Sequence, residues 1–164
     1  MARDFRKIRA WELADDLAVK IYRLTKGFPS QELYGLVSQL RRAVVSVPAN
    51  IAEGSNRGSK NEYLHFLHIA AGSLAEVEYY LHLAARLEYL SDEEHRALEE
   101  ERKKAGSTLQ GLIKAVKSDI DRKEDGILGI SHCTAIKCIT CGVHSLVSGV
   151  LSLGSGVSCL GSNL

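Results

Sequence analysis

The sequence is short of proline and has no large excess of charge of either sign. Proline occurs only twice, at Pro29 and Pro48. Cysteine is absent from the first 120 residues, so no Cys–His pair can form there. The 21 Lys and Arg nearly balance the 20 Asp and Glu. That balance excludes nucleic-acid binding by bulk charge; any such role needs a local patch. The N-terminal "MARDFRKIRAWELADD" carries charges where a secretory leader has its apolar centre, so the expected compartment is the cytoplasm. No strand-like alternation separates the helical patterns, which removes Rossmann and P-loop folds.

The residues that are present divide unevenly. All Tyr, Phe and Trp lie in residues 1–120. Residues 121–164 hold all four Cys and half of the 14 Gly, and no charged side chain follows Lys137. The expected organisation is one domain over about residues 5–120 and a low-complexity Ser/Gly/Cys-rich tail over 121–164. The tail is expected to be disordered or loosely ordered.

The first part reads as four helices. Ile8, Trp11, Ala14, Leu17, Ile21 and Leu24 form one apolar stripe over about residues 9–26, with Gly27 as a stop. A second stripe runs from Leu33 through Leu36, Leu40, Val44 and Val47 to Ile51, with Ser30 as its expected N-cap. Pro48 lies inside this pattern and predicts a kink. A third helix starts after Ser59, where "SKNE" reads as a capping box with Glu62, and runs to about Leu87. Its apolar surface covers more than half its girth, which predicts contacts between subunits. A fourth starts at Ser91 in a second capping box with Glu94 and is expected to end near Ser118. Short connections make this an all-α, up-down-up-down four-helix bundle.

The stretches "FPSQELYGLVSQLRRA" and "NIAEGSNRGSKNEYLHFLHIAAGSLAE" carry a specific resemblance. The chain, over about residues 5–118, resembles the bacterial four-helix-bundle family named after proteins encoded in intervening sequences of 23S rRNA genes. That family is similar to the accessory protein of diversity-generating retroelements, a barrel-shaped homopentamer that binds nucleic acid beside a reverse transcriptase. The resemblance implies a homo-oligomer, a pentamer by analogy, with RNA or DNA and a nucleic-acid enzyme as partners. It implies little about activity.

"AEGSNRGSK" invites a phosphate-loop reading, but a helix precedes it and no Gly-Lys-Ser/Thr occurs. A helix–helix corner explains it better: Gly54 as C-cap, Asn56 and Gly58 allowing a left-handed turn, and Ser59 restarting the chain. Pro48, Asn50, Glu53, Gly54, Ser59 and Glu62 are therefore read as architectural. Asn50 is expected to satisfy backbone groups freed by Pro48, and Glu53 to pair with an arginine. The candidate phosphate contacts are Arg41, Arg42, Arg57 and Lys60, which oligomer symmetry would multiply into a basic ring. The amides at the start of the third helix would add to them. Glu62 and His65 have di-iron spacing, but that chemistry needs a second such motif and two more glutamates. In the tail, Cys133, Cys138, Cys141 and His144 offer a weak zinc set with the wrong spacing and no aromatic core. The uncharged stretch 138–160 has too many Ser and Gly for a membrane span. No cofactor and no catalytic group are expected.

Overall fold

The computed structural model describes residues 3–136, with side chains to residue 123. The described chain is a four-helix bundle: α1 Arg9–Leu24, α2 Leu36–Ser55, α3 Lys60–Arg86 and α4 Asp92–Ile136. Three short 3-10 turns, Phe5–Lys7, Thr25–Gly27 and Ser30–Glu32, precede α1 and link it to α2. There is no strand among the described residues. Residues 3–127 form one compact unit. No described helix is long and apolar enough to cross a membrane.

The three- and four-residue spacing of apolar side chains produces the core directly. Leu17 and Ile21 of α1, Leu40, Val44 and Ile51 of α2, Leu67, Leu74 and Leu81 of α3, and Leu109 and Ile113 of α4 share one buried cluster. Each large side chain so buried contributes roughly 1.5–3 kcal/mol. Truncating fully buried Leu67 to alanine would cost about 2–5 kcal/mol through the cavity it leaves.

Cross-helix contacts set the antiparallel order. Arg41 of α2 reaches Thr25 at the end of α1, and Ser46 of α2 meets Ser73 of α3 at 2.9 Å. On α4, Arg102 pairs with Glu78 of α3 at 3.0 Å and Glu101 pairs with Lys20 of α1. Arg102 is also held by Glu99, and that hydrogen bond raises its affinity for its proton.

Several helix ends differ from the sequence expectation. α1 stops at Leu24, and its C-cap is Thr25, whose hydroxyl donates to the Ile21 carbonyl at 2.8 Å. α2 starts at Leu36 rather than after Ser30. Its cap comes from a distance: the Glu32 carboxylate accepts from the Leu36 amide at 3.1 Å. α2 remains helical through buried Pro48. Gly54 lies inside the last turn of α2, the C-cap is Asn56, and Asn56 is right-handed, with φ −89°. Gly54 is required for close approach instead. A Cβ there would sit 2.8 Å from Phe66 Cβ and 3.0 Å from Tyr63 Cδ2.

The capping box at Ser91 forms: the Ser91 amide donates to Glu94 Oε2 at 3.0 Å, and the Glu94 amide donates to Ser91 Oγ at 3.3 Å. The bond from Ser91 holds the Glu94 carboxyl below its ordinary range. At Ser59 the cap is one-sided. Ser59 Oγ accepts from the Asn61 amide at 3.2 Å, and Glu62 makes no return bond among the described residues. α4 does not end near Ser118 but continues to Ile136. Arg122 bridges Asp119 at 2.7 Å and the Ser118 carbonyl at 3.2 Å, which supports the helix across that point. The rest of the tail lies outside the described residues.

Candidate nucleic-acid interface

The four basic candidates fall into separate settings. Arg41 and Arg42 line a groove of about 650 Å³ with Tyr22, Ser38, Gln39 and Glu76. Arg41 is half-buried and Arg42 exposed. Arg41 Nε donates to Thr25 Oγ1 at 2.9 Å, and its guanidinium lies 4.8 Å from the centre of the Tyr22 ring. The ring contact and the hydrogen bond therefore hold the guanidinium at the wall of the groove. Neither arginine forms an ion pair among the described residues.

Arg57 and Lys60 stand at the α2–α3 corner. Fifteen residues separate Arg42 from Arg57, which is about 22 Å at helical rise. A single chain thus does not bring the two pairs together. Arg57 forms an ion pair with Glu53 one turn back, and its guanidinium lies 4.8 Å over the Phe66 ring. This is the arginine partner expected for Glu53, and it neutralises Arg57 locally. Lys60 Nζ is 2.9 Å from Asp119 Oδ2 on α4. That hydrogen bond, the charge of Lys60, and then Arg122 and Arg3 lower the Asp119 pKa.

Asn50 is a backbone-satisfying residue, though at a different carbonyl from the one proline frees. The missing Pro48 amide deprives the carbonyl of Val44. Asn50 Nδ2 instead donates to the Ser46 carbonyl at 2.7 Å and to Ser46 Oγ at 3.0 Å. Ser46 Oγ then meets Ser73 Oγ, which donates to the Ile69 carbonyl at 3.1 Å. This polar chain ties α2 to α3, and no buried side-chain polar atom is left unpaired among the described residues.

No group of three His, Cys, Asp or Glu side chains among the described residues is placed to hold a metal, Glu62 and His65 included. The zinc set of Cys133, Cys138, Cys141 and His144 lies outside the residues whose side chains are described.

Sequence reasoning missed Thr25 and Tyr22 behind Arg41, and Asp119, Arg122 and Arg3 around Lys60. Each partner is a surface-type residue far away in the chain or beyond a helix end, so periodicity carries no signal for the pairing.

The family model described as 23S rRNA-intervening sequence protein matches residues 6–111. A crystal structure from Bacteroides thetaiotaomicron, of a protein of unknown function from the S23 ribosomal protein family, is 26% identical, with a TM-score of 0.60. The match covers 64% of this chain and 95% of that one. No curated protein matches the chain.

Proposed function

Because the chain belongs to the family of 23S rRNA-intervening sequence proteins, we propose that it is a non-enzymatic, homo-oligomeric module that binds RNA. The observation that carries this reading is the groove of Arg41 and Arg42. Two adjacent guanidinium groups there are free of carboxylate partners among the described residues, and one is held by Thr25 and Tyr22. Arginine held at the groove wall suits bidentate contact with phosphate oxygens. Ser38 and Gln39 add neutral hydrogen-bonding groups to the same space, and Glu76 is the one acid in its lining. Arg57 contributes less than its sequence position suggests, since Glu53 already takes its charge.

Exposed apolar side chains support the oligomer. Val45 of α2 and Ile69 and Tyr79 of α3 remain open in a single chain. Repetition of the groove by symmetry would let a nearly neutral subunit gather a polyanion.

Fluorescence anisotropy with a labelled RNA hairpin across a salt series tests the site. The Arg41→Gln/Arg42→Gln variant should weaken binding and flatten the dependence of log K on log salt by about 1–2. An unchanged slope would remove the groove from the interface. Light scattering on the full chain tests the assembly, and a monomer would refute it. A second reading, a scaffold for a protein partner, is favoured by the exposed Val45, Ile69 and Tyr79. A stable oligomer that binds no RNA at low salt would select it.

A further inference from the structure

We propose that the end of the bundle at the α2–α3 corner is a second phosphate-contact surface for RNA, formed by Arg3, Lys60, Arg122 and Lys123 around Asp119. It rests on the RNA-binding reading above, and it uses residues that the Arg41–Arg42 groove does not.

Three chain segments supply the surface: the N-terminal residues, the first turn of α3 and the middle of α4. Asp119 spends both carboxylate oxygens there, Oδ2 on Lys60 at 2.9 Å and Oδ1 on Arg122 at 2.7 Å. Arg3 is anchored separately. Its amide donates to the Ser55 carbonyl at 3.2 Å, and its guanidinium lies 4.8 Å over the ring of buried Tyr63. Burial raises the Tyr63 pKa and the Arg3 charge opposes that rise, so the ring is a neutral platform.

Charge counting separates this end from an ordinary ion pair. Arg57 and Glu53 cancel one to one. The lining of the two grooves beside the Lys60–Asp119 pair holds four cations, Arg3, Lys60, Arg122 and Lys123, and one carboxylate, that of Asp119. The lining of these two grooves is therefore in positive excess. The bridge also orients donors. The Lys60 ammonium has three N–H groups and the Arg122 guanidinium five, so each keeps donors free after meeting Asp119.

Two shallow grooves flank the Lys60–Asp119 pair. One, of about 350 Å³, is lined by Ser59, Lys60, Asn61 and Lys123. The other, of about 290 Å³, is lined by Arg3, Tyr63, Asp119 and Arg122. Surplus cations along two adjoining grooves suit consecutive phosphates of a nucleic-acid backbone, to which such contacts give affinity without sequence preference.

The test uses the full chain and a fluorescein-labelled RNA hairpin in a salt series. Arg122→Gln/Lys123→Gln should flatten the salt dependence of log K by about 1–2. Asp119→Asn removes the one bridging negative charge and should tighten binding at low salt and steepen the slope. Circular dichroism melting checks that both variants fold. An unchanged slope in Arg122→Gln/Lys123→Gln, or unchanged or weaker binding by folded Asp119→Asn, overturns the proposal. If the unsubstituted chain binds no RNA, the underlying RNA reading fails and takes this surface with it. If it binds, and only Arg41→Gln/Arg42→Gln alters the slope, the groove stands and this second surface falls.

Discussion

Lys60 and Asp119 are 59 positions apart in the chain and 2.9 Å apart in the fold. Their contact pins the start of α3 to the middle of α4 and makes Asp119 a stronger acid. A carboxyl with a lowered folded pKa releases its proton more readily than in the unfolded chain. The unfolded state therefore binds more protons at low pH. The stabilisation is complete above the ordinary Asp value of 3.8 and is lost as pH falls through the lower folded value. Both partners are partly exposed, so solvent screening keeps the effect small. The melting temperatures of the unsubstituted chain and Asp119→Asn should differ near neutrality and converge below pH 3.8. A gap that persists undiminished to about pH 2 would contradict this linkage.

Gly54→Ala should destabilise the bundle. The new methyl would stand 2.8 Å from Phe66 Cβ, an atom fixed to the α3 backbone. Overpacking of this kind costs about 1–3 kcal/mol. Urea unfolding at equilibrium measures it, and a neutral result would mean that the α2–α3 corner can spread.

Glu88→Gly should have the opposite sign. Glu88 has φ 60°, the one left-handed non-glycine residue among those described. It closes α3 in a Schellman arrangement, in which the Tyr89 amide donates to the Ala84 carbonyl and the Glu88 amide to the Ala85 carbonyl, each at 3.0 Å. Relief of the Cβ crowding is worth roughly 1 kcal/mol, part of which glycine's greater unfolded-state freedom offsets. A raised melting temperature is expected, and a lowered one would show that Glu88 has a compensating role.

Ser46 and Ser73 should couple energetically across α2 and α3. Their hydroxyls meet at 2.9 Å within the chain that begins at Asn50. A double-mutant cycle of Ser46→Ala and Ser73→Ala should give an interaction energy of about 0.5–1.5 kcal/mol. Additive losses would show that each serine is satisfied by its own helix.

Ser91→Ala should cost more stability than Ser59→Ala. Ser91 and Glu94 exchange amide bonds in both directions, whereas Ser59 accepts one bond and Glu62 returns none among the described residues. A lost N-cap hydroxyl typically costs about 1 kcal/mol. Thermal melts of the two variants rank them, and equal losses would argue against the difference between the caps.

The sequence by itself determined the helices and their buried faces. Leu17, Leu40, Leu67 and Leu109 belong to the repeating stripes, and burying such stripes requires helix against helix. It also determined the corner at Gly54–Ser59 and the closed cap at Ser91, because those signals are local. Tertiary structure alone decided what the polar residues do. Glu32 caps a helix four residues on, Asn50 bonds to the Ser46 carbonyl, and Gly54 is needed for packing rather than for its dihedral angles. It likewise separated four basic candidates that looked equivalent: Arg41 and Arg42 beside a groove, Arg57 matched by Glu53, and Lys60 joined to α4. The physical reason is one of range. Apolar burial repeats with the helix and is written in nearby spacing, whereas an ion pair or a stacked arginine depends on where distant segments meet.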